Sequence, residues 1–193
     1  MQGTFDFIKA EPWRPRRPER LFFGLLPHPE TAENVSRFGG RFFRENNLLG
    51  KPLKTERLHV SLQHIGDYKR LPSRIVYAAL LVGRAVSMRA FEATFGLITT
   101  FEPSPSKKER PLVLLGESDA FFELHGLLGT AMRRTGLRAA DHFKPHMTLL
   151  YGPGKIPLRA IEPLRIMFDE LFLIHSERGL TRYNMLGRWP LYR

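Results

Sequence analysis

Cysteine is absent from the 193-residue chain. That removes disulfides, thiolate nucleophiles and cysteine-based zinc or iron–sulfur sites together. Chemistry must then rest on His, Ser/Thr and carboxylates, and no cofactor or metal is expected. Long apolar runs are lacking too: no stretch approaches the roughly 20 uninterrupted apolar residues of a membrane helix. The opening MQGTFDFIKAEPW has no apolar segment after a basic start, so the expected protein is cytoplasmic, with no membrane partner. Acids are scarce. Thirty Lys and Arg against 19 Asp and Glu give a net charge of +11, an imbalance that favours a polyanionic partner such as nucleic acid or phosphate esters.

What is present is globular: 42% hydrophobic residues, 25% charged residues and 15 Phe are too apolar for wholesale disorder and enough for one large domain or two fused lobes. Residues 1–19, ending in EPWRPRRPE, hold three prolines among charges and read as an extended or flexible basic arm; residues 20–193 read as a single domain. Arg20–Pro27 (RLFFGLLP) has the pattern of a buried first strand. His28–Asn47 reads as a helix capped at Thr31, and Ser73–Val86 as a second capped at Ser73. Ser118–Thr135, closing at Gly136, is the clearest helix. Strands are expected at 57–66, 91–101, 111–115 and 142–152, with two or three more in the last third and Gly179 in a turn. That order predicts an α+β fold with largely antiparallel sheets.

One short pattern occurs twice, 87 residues apart: His59-Val60-Ser61-Leu62 and His146-Met147-Thr148-Leu149. On a strand, residues i and i+2 point the same way about 7 Å apart, so each copy presents an imidazole and a hydroxyl together. By the same alternation Gln63 joins His59 and Ser61, while His64 faces the opposite side. Two copies imply two pseudo-symmetric halves whose central strands face one groove. Two imidazoles suit phosphoryl transfer to water, one neutral and accepting a proton, the other protonated and donating one. The hydroxyls of Ser61 and Thr148 can donate to non-bridging phosphate oxygens without a metal. His142 and His146, four apart on a strand, are about 13 Å apart, too wide for one ion.

The repeated His-x-Ser/Thr motif, with RLFFGLLP near the start and KPHMTLLYG late, resembles the 2H phosphoesterase superfamily, in particular its RNA 2′,3′-cyclic phosphodiesterase (2′-5′ RNA ligase-like) branch. The resemblance spans roughly Arg20 to the C-terminus. It implies a bilobal α+β fold of two pseudo-symmetric, mostly antiparallel sheets flanked by helices, with a central active-site groove. It also implies metal-independent opening of 2′,3′-cyclic phosphate ends of RNA or nucleotides, usually to a 2′-phosphate, and in some members reversible 2′-5′ ligation. Carried onto this chain, His59 is the acid that protonates the departing ribose oxygen, His146 the base that activates water, and Ser61 and Thr148 hold the phosphate. Ser61 stands where threonine is commoner, His64 where an aromatic is usual, and Tyr151 where related members often have arginine. Phe143 and Tyr151 are candidates for stacking on a base. The expected partner is RNA or a nucleotide bearing a 2′,3′-cyclic phosphate, bound by a monomer. Two other readings stay open: a non-catalytic RNA-end or nucleotide-binding module, and a phosphodiesterase for 2′-5′ oligonucleotides or small cyclic nucleotides.

Overall fold

A computed structural model describes residues 14–103 and 108–192. The expected strand order is found, with ends shifted by a few residues. The strands are β1 (Glu19–Leu25), β2 (Lys51–Pro52), β3 (Val60–Tyr68), β4 (Phe91–Thr100), β5 (Arg110–Glu117), β6 (His146–Gly152), β7 (Arg159–Phe168), β8 (Glu170–Glu177) and β9 (Arg182–Pro190). The helices are α1 (Pro29–Glu45), α2 (Ser73–Ala85) and α3 (Asp119–Arg134). Every pairing between these strands is antiparallel.

Sequence chemistry accounts for the helix ends, with two corrections. α1 starts where Pro29 sits at its first turn behind His28, not at Thr31, because a proline loses nothing at a position whose N–H has no partner. α2 likewise follows Pro72, and Ser73 makes no side-chain cap. α3 ends as expected: Gly136 adopts φ 75°, the left-handed conformation that lets the chain turn out of a helix. The expected strand from His142 begins only at His146, because Pro145 offers no N–H to a ladder.

The sheet order is β7-β4-β5-β6-β3-β1-β8-β9, with β2 added on β6. Each half is built alike. In the N-terminal half β1 and β3 pair antiparallel around α1, with β8 and β9 completing the set; in the other half β5 and β6 pair around α3, with β4 and β7 outside. The two halves expected from the repeat are thus four strands each. They join through one register pair, Val60 with Met147, and so form one continuous nine-stranded sheet.

The core takes Phe23, Leu25, Val60 and Leu62 from one half, Phe95, Leu112, Leu114 and Met147 from the other, and Val35, Val82, Phe121, Leu124 and Leu128 from the helices. Fully burying such side chains stabilises by about 1.5–3 kcal/mol each, before conformational entropy is set against it. Phe22, Val113 and Ile174 are also buried but lie outside this cluster. Strand alternation puts them on the other face of the sheet, the face that carries the repeated motifs.

Of the arm, Arg14 bonds through Nε to the Arg178 carbonyl and through Nη2 to Glu19. Residues 1–13 lie outside the described residues. Among the described residues no helix is long and apolar enough to cross a membrane.

Candidate active site

The Val60–Met147 pair sits at the centre of both motifs. In antiparallel pairing, one step outward sets His59 opposite Thr148 and Ser61 opposite His146, all four on one face. The charge of His146 is close enough to oppose protonation of His59. The two imidazoles and two hydroxyls that the sequence put together are therefore neighbours across one seam.

Both rings are held the same way. His59 Nδ1 is 2.8 Å from the carbonyl of Arg57, and His146 Nδ1 is 2.7 Å from the carbonyl of Lys144. A carbonyl only accepts, so each Nδ1 carries the proton and each Nε2 is left for the groove. The Nε2 of His59 accepts from the Ser61 hydroxyl at 3.0 Å. The backbone-held ring and its motif hydroxyl form a preset unit.

The surroundings are also paired. The Arg57 guanidinium lies 4.4 Å from the Tyr183 ring centroid, and Tyr183 meets His59 edge-on at 5.5 Å. The Lys144 ammonium lies 5.0 Å from the Phe101 centroid, and Phe101 meets His146 edge-on at 5.0 Å. Each imidazole thus sits against an aromatic ring that also carries the cation from two residues upstream. Phe22 adds a third ring at 5.2 Å from His59. Arg57 Nε is buried and has no hydrogen-bond partner among the described residues.

Burial and these cations shape the proton affinities. Burial lowers the pKa of His59 to about 4, opposed by its bond to the Arg57 carbonyl and assisted by the charges of His146, Arg57 and Arg20. Burial lowers His146 too, assisted by the Lys144 charge and opposed by its bond to the Lys144 carbonyl. In the free protein at neutral pH His59 is the uncharged tautomer that accepts from Ser61.

The alternation expected beyond Ser61 fails, for a local reason. β1 skips one residue of β3 between Gly24–Ser61 and Phe23–Gln63, and another between Phe22–His64 and Leu21–Gly66. These are bulges, each turning the strand by one residue. Gln63 therefore faces the helices, fully buried and hydrogen-bonded to His125 of α3 and to both backbone groups of Ala140. Ser61, His64 and Asp67, three apart, share the groove face. β6 bulges at the equivalent place, between Leu112–Leu150 and Val113–Thr148, so Tyr151 returns to the face of Thr148 just as His64 returns to that of Ser61. Gly24 lies opposite Ser61, where a Cβ would come within 3.0 Å of the Val60 carbonyl and 3.3 Å of Phe22.

Tyr151 interacts electrostatically with Arg20 and Tyr183, which places it along the same groove. Phe143 lies elsewhere. Its ring stacks on His125 at 4.7 Å and packs against Phe121 and Phe122 of α3, a position on the helix side that leaves it out of the groove. Tyr183 was open from sequence only as a residue of the last strands within reach of the groove; Arg57, Lys144, Phe22 and Phe101 are not among the candidates expected from sequence, although a basic residue two places before each motif histidine was legible as part of the repeat. Among the described residues no group of three or more His, Asp or Glu could hold a metal ion.

Comparisons with known proteins agree with this fold. The chain resembles the apo form of Escherichia coli LigT at 27% identity and a TM-score of 0.66, covering 92% of this chain and 99% of LigT. LigT complexed with 3′-AMP matches at 27% identity and 0.63, with the same coverage. A Thermus thermophilus protein matches in fold at 20% identity and a TM-score of 0.64, covering 89% of this chain and 97% of that one. No curated protein matches the sequence. A family model described as the 2′-5′ RNA ligase superfamily matches residues 27–180, and with that match, the α+β antiparallel architecture and the twin motifs in place, the chain belongs to the 2′-5′ RNA ligase superfamily of phosphoesterase- and ligase-type enzymes.

Proposed function

We propose that this protein is a phosphodiesterase that opens 2′,3′-cyclic phosphate ends of RNA or nucleotides to a 2′-phosphate, with His59 and His146 as its acid and base. The observation that carries the reading is the pair of imidazoles, each fixed by a backbone carbonyl with Nε2 left for the groove, meeting at the Val60–Met147 seam. Hydrolysis of a cyclic phosphodiester needs a proton removed from water and one delivered to the departing ribose oxygen, and nothing else need change hands. In this reading His146 takes the proton of water, His59 protonates the leaving 3′ oxygen, and the hydroxyls of Ser61 and Thr148 donate to the non-bridging oxygens.

The free protein is one step short of that state. His59 is neutral and its Nε2 is engaged by Ser61. An arriving phosphate supplies negative charge beside a desolvated ring, which raises the ring's proton affinity. His59 gains its proton as the anion binds, and Ser61 turns its hydroxyl from the imidazole to the phosphate. The charges of Arg57 and Lys144, which have no carboxylate partner among the described residues, favour the same anion. LigT complexed with 3′-AMP and with phosphate supports a nucleotide phosphate as ligand. Ligation uses the same groups with a 5′ hydroxyl in place of water: His146 takes its proton, the P–O5′ bond forms as the P–O3′ bond of the cyclic phosphate breaks, His59 protonates the 3′ oxygen, and the 2′-5′ diester so formed is cleaved by the same steps in reverse.

The test is direct. Purified protein in chelator should open nucleoside 2′,3′-cyclic phosphates and cyclic-ended oligonucleotides, with the product identified as the 2′- or 3′-phosphate by chromatography. Absence of product from every member of that panel, with phosphate still bound, would favour a non-catalytic nucleotide-binding module.

A further inference from the structure

The bulges of β3 have a second effect. By keeping Ser61, His64 and Asp67 on one face, they continue the groove from the reacting groups to a cluster of charge at the far end of β1. Arg20, Phe22 and Gly24 alternate along β1 on that face, opposite Asp67, His64 and Ser61 respectively. Asp67 takes Arg20 bidentately, Nε at 2.7 Å and Nη2 at 2.8 Å, and also Arg178 Nη1 at 2.9 Å and His64 Nε2 at 3.1 Å.

Four donors fill the lone pairs of one carboxylate. Two guanidinium charges nevertheless face a single negative one. Arg20 Nη1, and Arg178 Nε and Nη2, make no hydrogen bond with the described residues. The cluster therefore holds a net positive charge and leftover donors in the fork geometry that suits a phosphate. It is not remote. The charge of Arg20 acts on both His59 and Tyr183. From Gly24 to Arg20 is about 13 Å along an extended strand, and an arginine reaches several of those back toward the motif. What remains of that span is comparable to the length of one nucleoside, with Phe22, Tyr183 and Tyr151 lying along it.

We propose that Arg20 and Arg178, oriented by Asp67 and flanked by His64, form a second phosphate subsite for the phosphate on the 5′ side of the nucleoside whose cyclic phosphate is opened. This rests on the reading of the twin motifs as the reacting site. The substrate class follows: a 5′-phosphorylated nucleotide or the end of an oligonucleotide, in preference to a bare nucleoside cyclic phosphate. The 5′ group is a terminal monoester in the first source and a chain phosphodiester in the second.

Calorimetric binding to the intact protein tests this without any turnover. Adenosine 2′-monophosphate is compared with adenosine 2′,5′-bisphosphate and with the dinucleotide ApA ending in a 2′-phosphate. A charge-assisted contact predicts that the wild type binds at least one of the two-phosphate ligands about 10-fold or more tightly than the monophosphate. Preference for the dinucleotide identifies the chain phosphodiester; preference confined to the bisphosphate identifies the monoester. Arg178→Gln and, separately, Arg20→Gln should bring that ratio to below about 3-fold, with melting curves confirming that each variant is folded. Ratios near one for both ligands in the wild type would overturn the subsite, whatever the variants do, and so would a ratio that survives both substitutions. Failure of the reacting-site reading shows up differently, as absence of hydrolysis with the affinity ratio intact.

Discussion

The two halves of the sheet share a backbone and differ in what hangs from it. Each presents cation, apolar residue, histidine, apolar residue, hydroxyl and leucine in order, each bonds its imidazole to the carbonyl two residues back, and each then bulges. The differences follow. His59 is walled by Phe22 and Tyr183, whereas His146 meets Phe101. After the bulge the N-terminal half buries Gln63 and returns His64 to the groove; the other buries Leu150 and returns Tyr151. The repeated part is what proton transfer needs, and the unrepeated part can vary because it decides what lies beside the phosphate and how firmly each ring holds a proton.

The strongest way to break the likeness is to remove one ring at a time. His59→Ala and His146→Ala should each lower the turnover of a cyclic phosphate by about 10²–10⁴-fold. The double variant should lose little more, since either group alone cannot complete the reaction. Rates that fall for only one of them would mean that the halves are alike in shape alone. Steady-state kinetics decides it.

The hydroxyls come next. Thr148→Val should cost about 10²-fold in kcat, as loss of one donor to developing charge does, and Ser61→Thr should cost nearly nothing. Ser61→Ala should do more than Thr148→Val to the pH profile, because among the described residues Ser61 bonds its motif imidazole and Thr148 does not. Equal profiles for the two variants would show that this bond does not matter.

The buried polar residue sharpens the contrast on the helix side. Gln63→Leu, which copies Leu150, should destabilise by about 1–3 kcal/mol in denaturant titration, because Ala140 and His125 lose their partner in the interior.

Proton linkage gives an effect confined to acid pH. The pKa of His59 is near 4 folded, against about 6.5 unfolded. The unfolded chain then binds the extra proton between those values, so this stabilising contribution is complete above pH 6.5 and is lost as pH falls toward 4. The loss is at most about 3 kcal/mol, and His59→Gln should remove that part of the pH dependence of the melting temperature.

Most of the scaffold was legible in the residues. Hydrophobic period and Gly136 marked the helices, though the starts expected at Thr31 and Ser73 were set by Pro29 and Pro72 instead, and the twin motif marked the two central strands and their shared face. Bulges were not legible, because inserting one residue into a ladder is a backbone event with no obligatory residue type. Alternation therefore misplaced Gln63 and His64. Tyr183 and Phe101 come from distant strands, and only folding shows which ring sits against which histidine. The motif's extension upstream was within reach: Arg57 and Lys144 both precede their histidines by two.

The Val60–Met147 junction has a mechanical consequence. A ladder one pair wide acts as the rivet of a pair of pliers, with an imidazole on each jaw close beside it. Both rivet residues are fully buried, so trimming Val60 to alanine or swapping Met147 for leucine should alter the gap that the phosphate must fill, read as a change in phosphate affinity, from positions on the core side of the sheet.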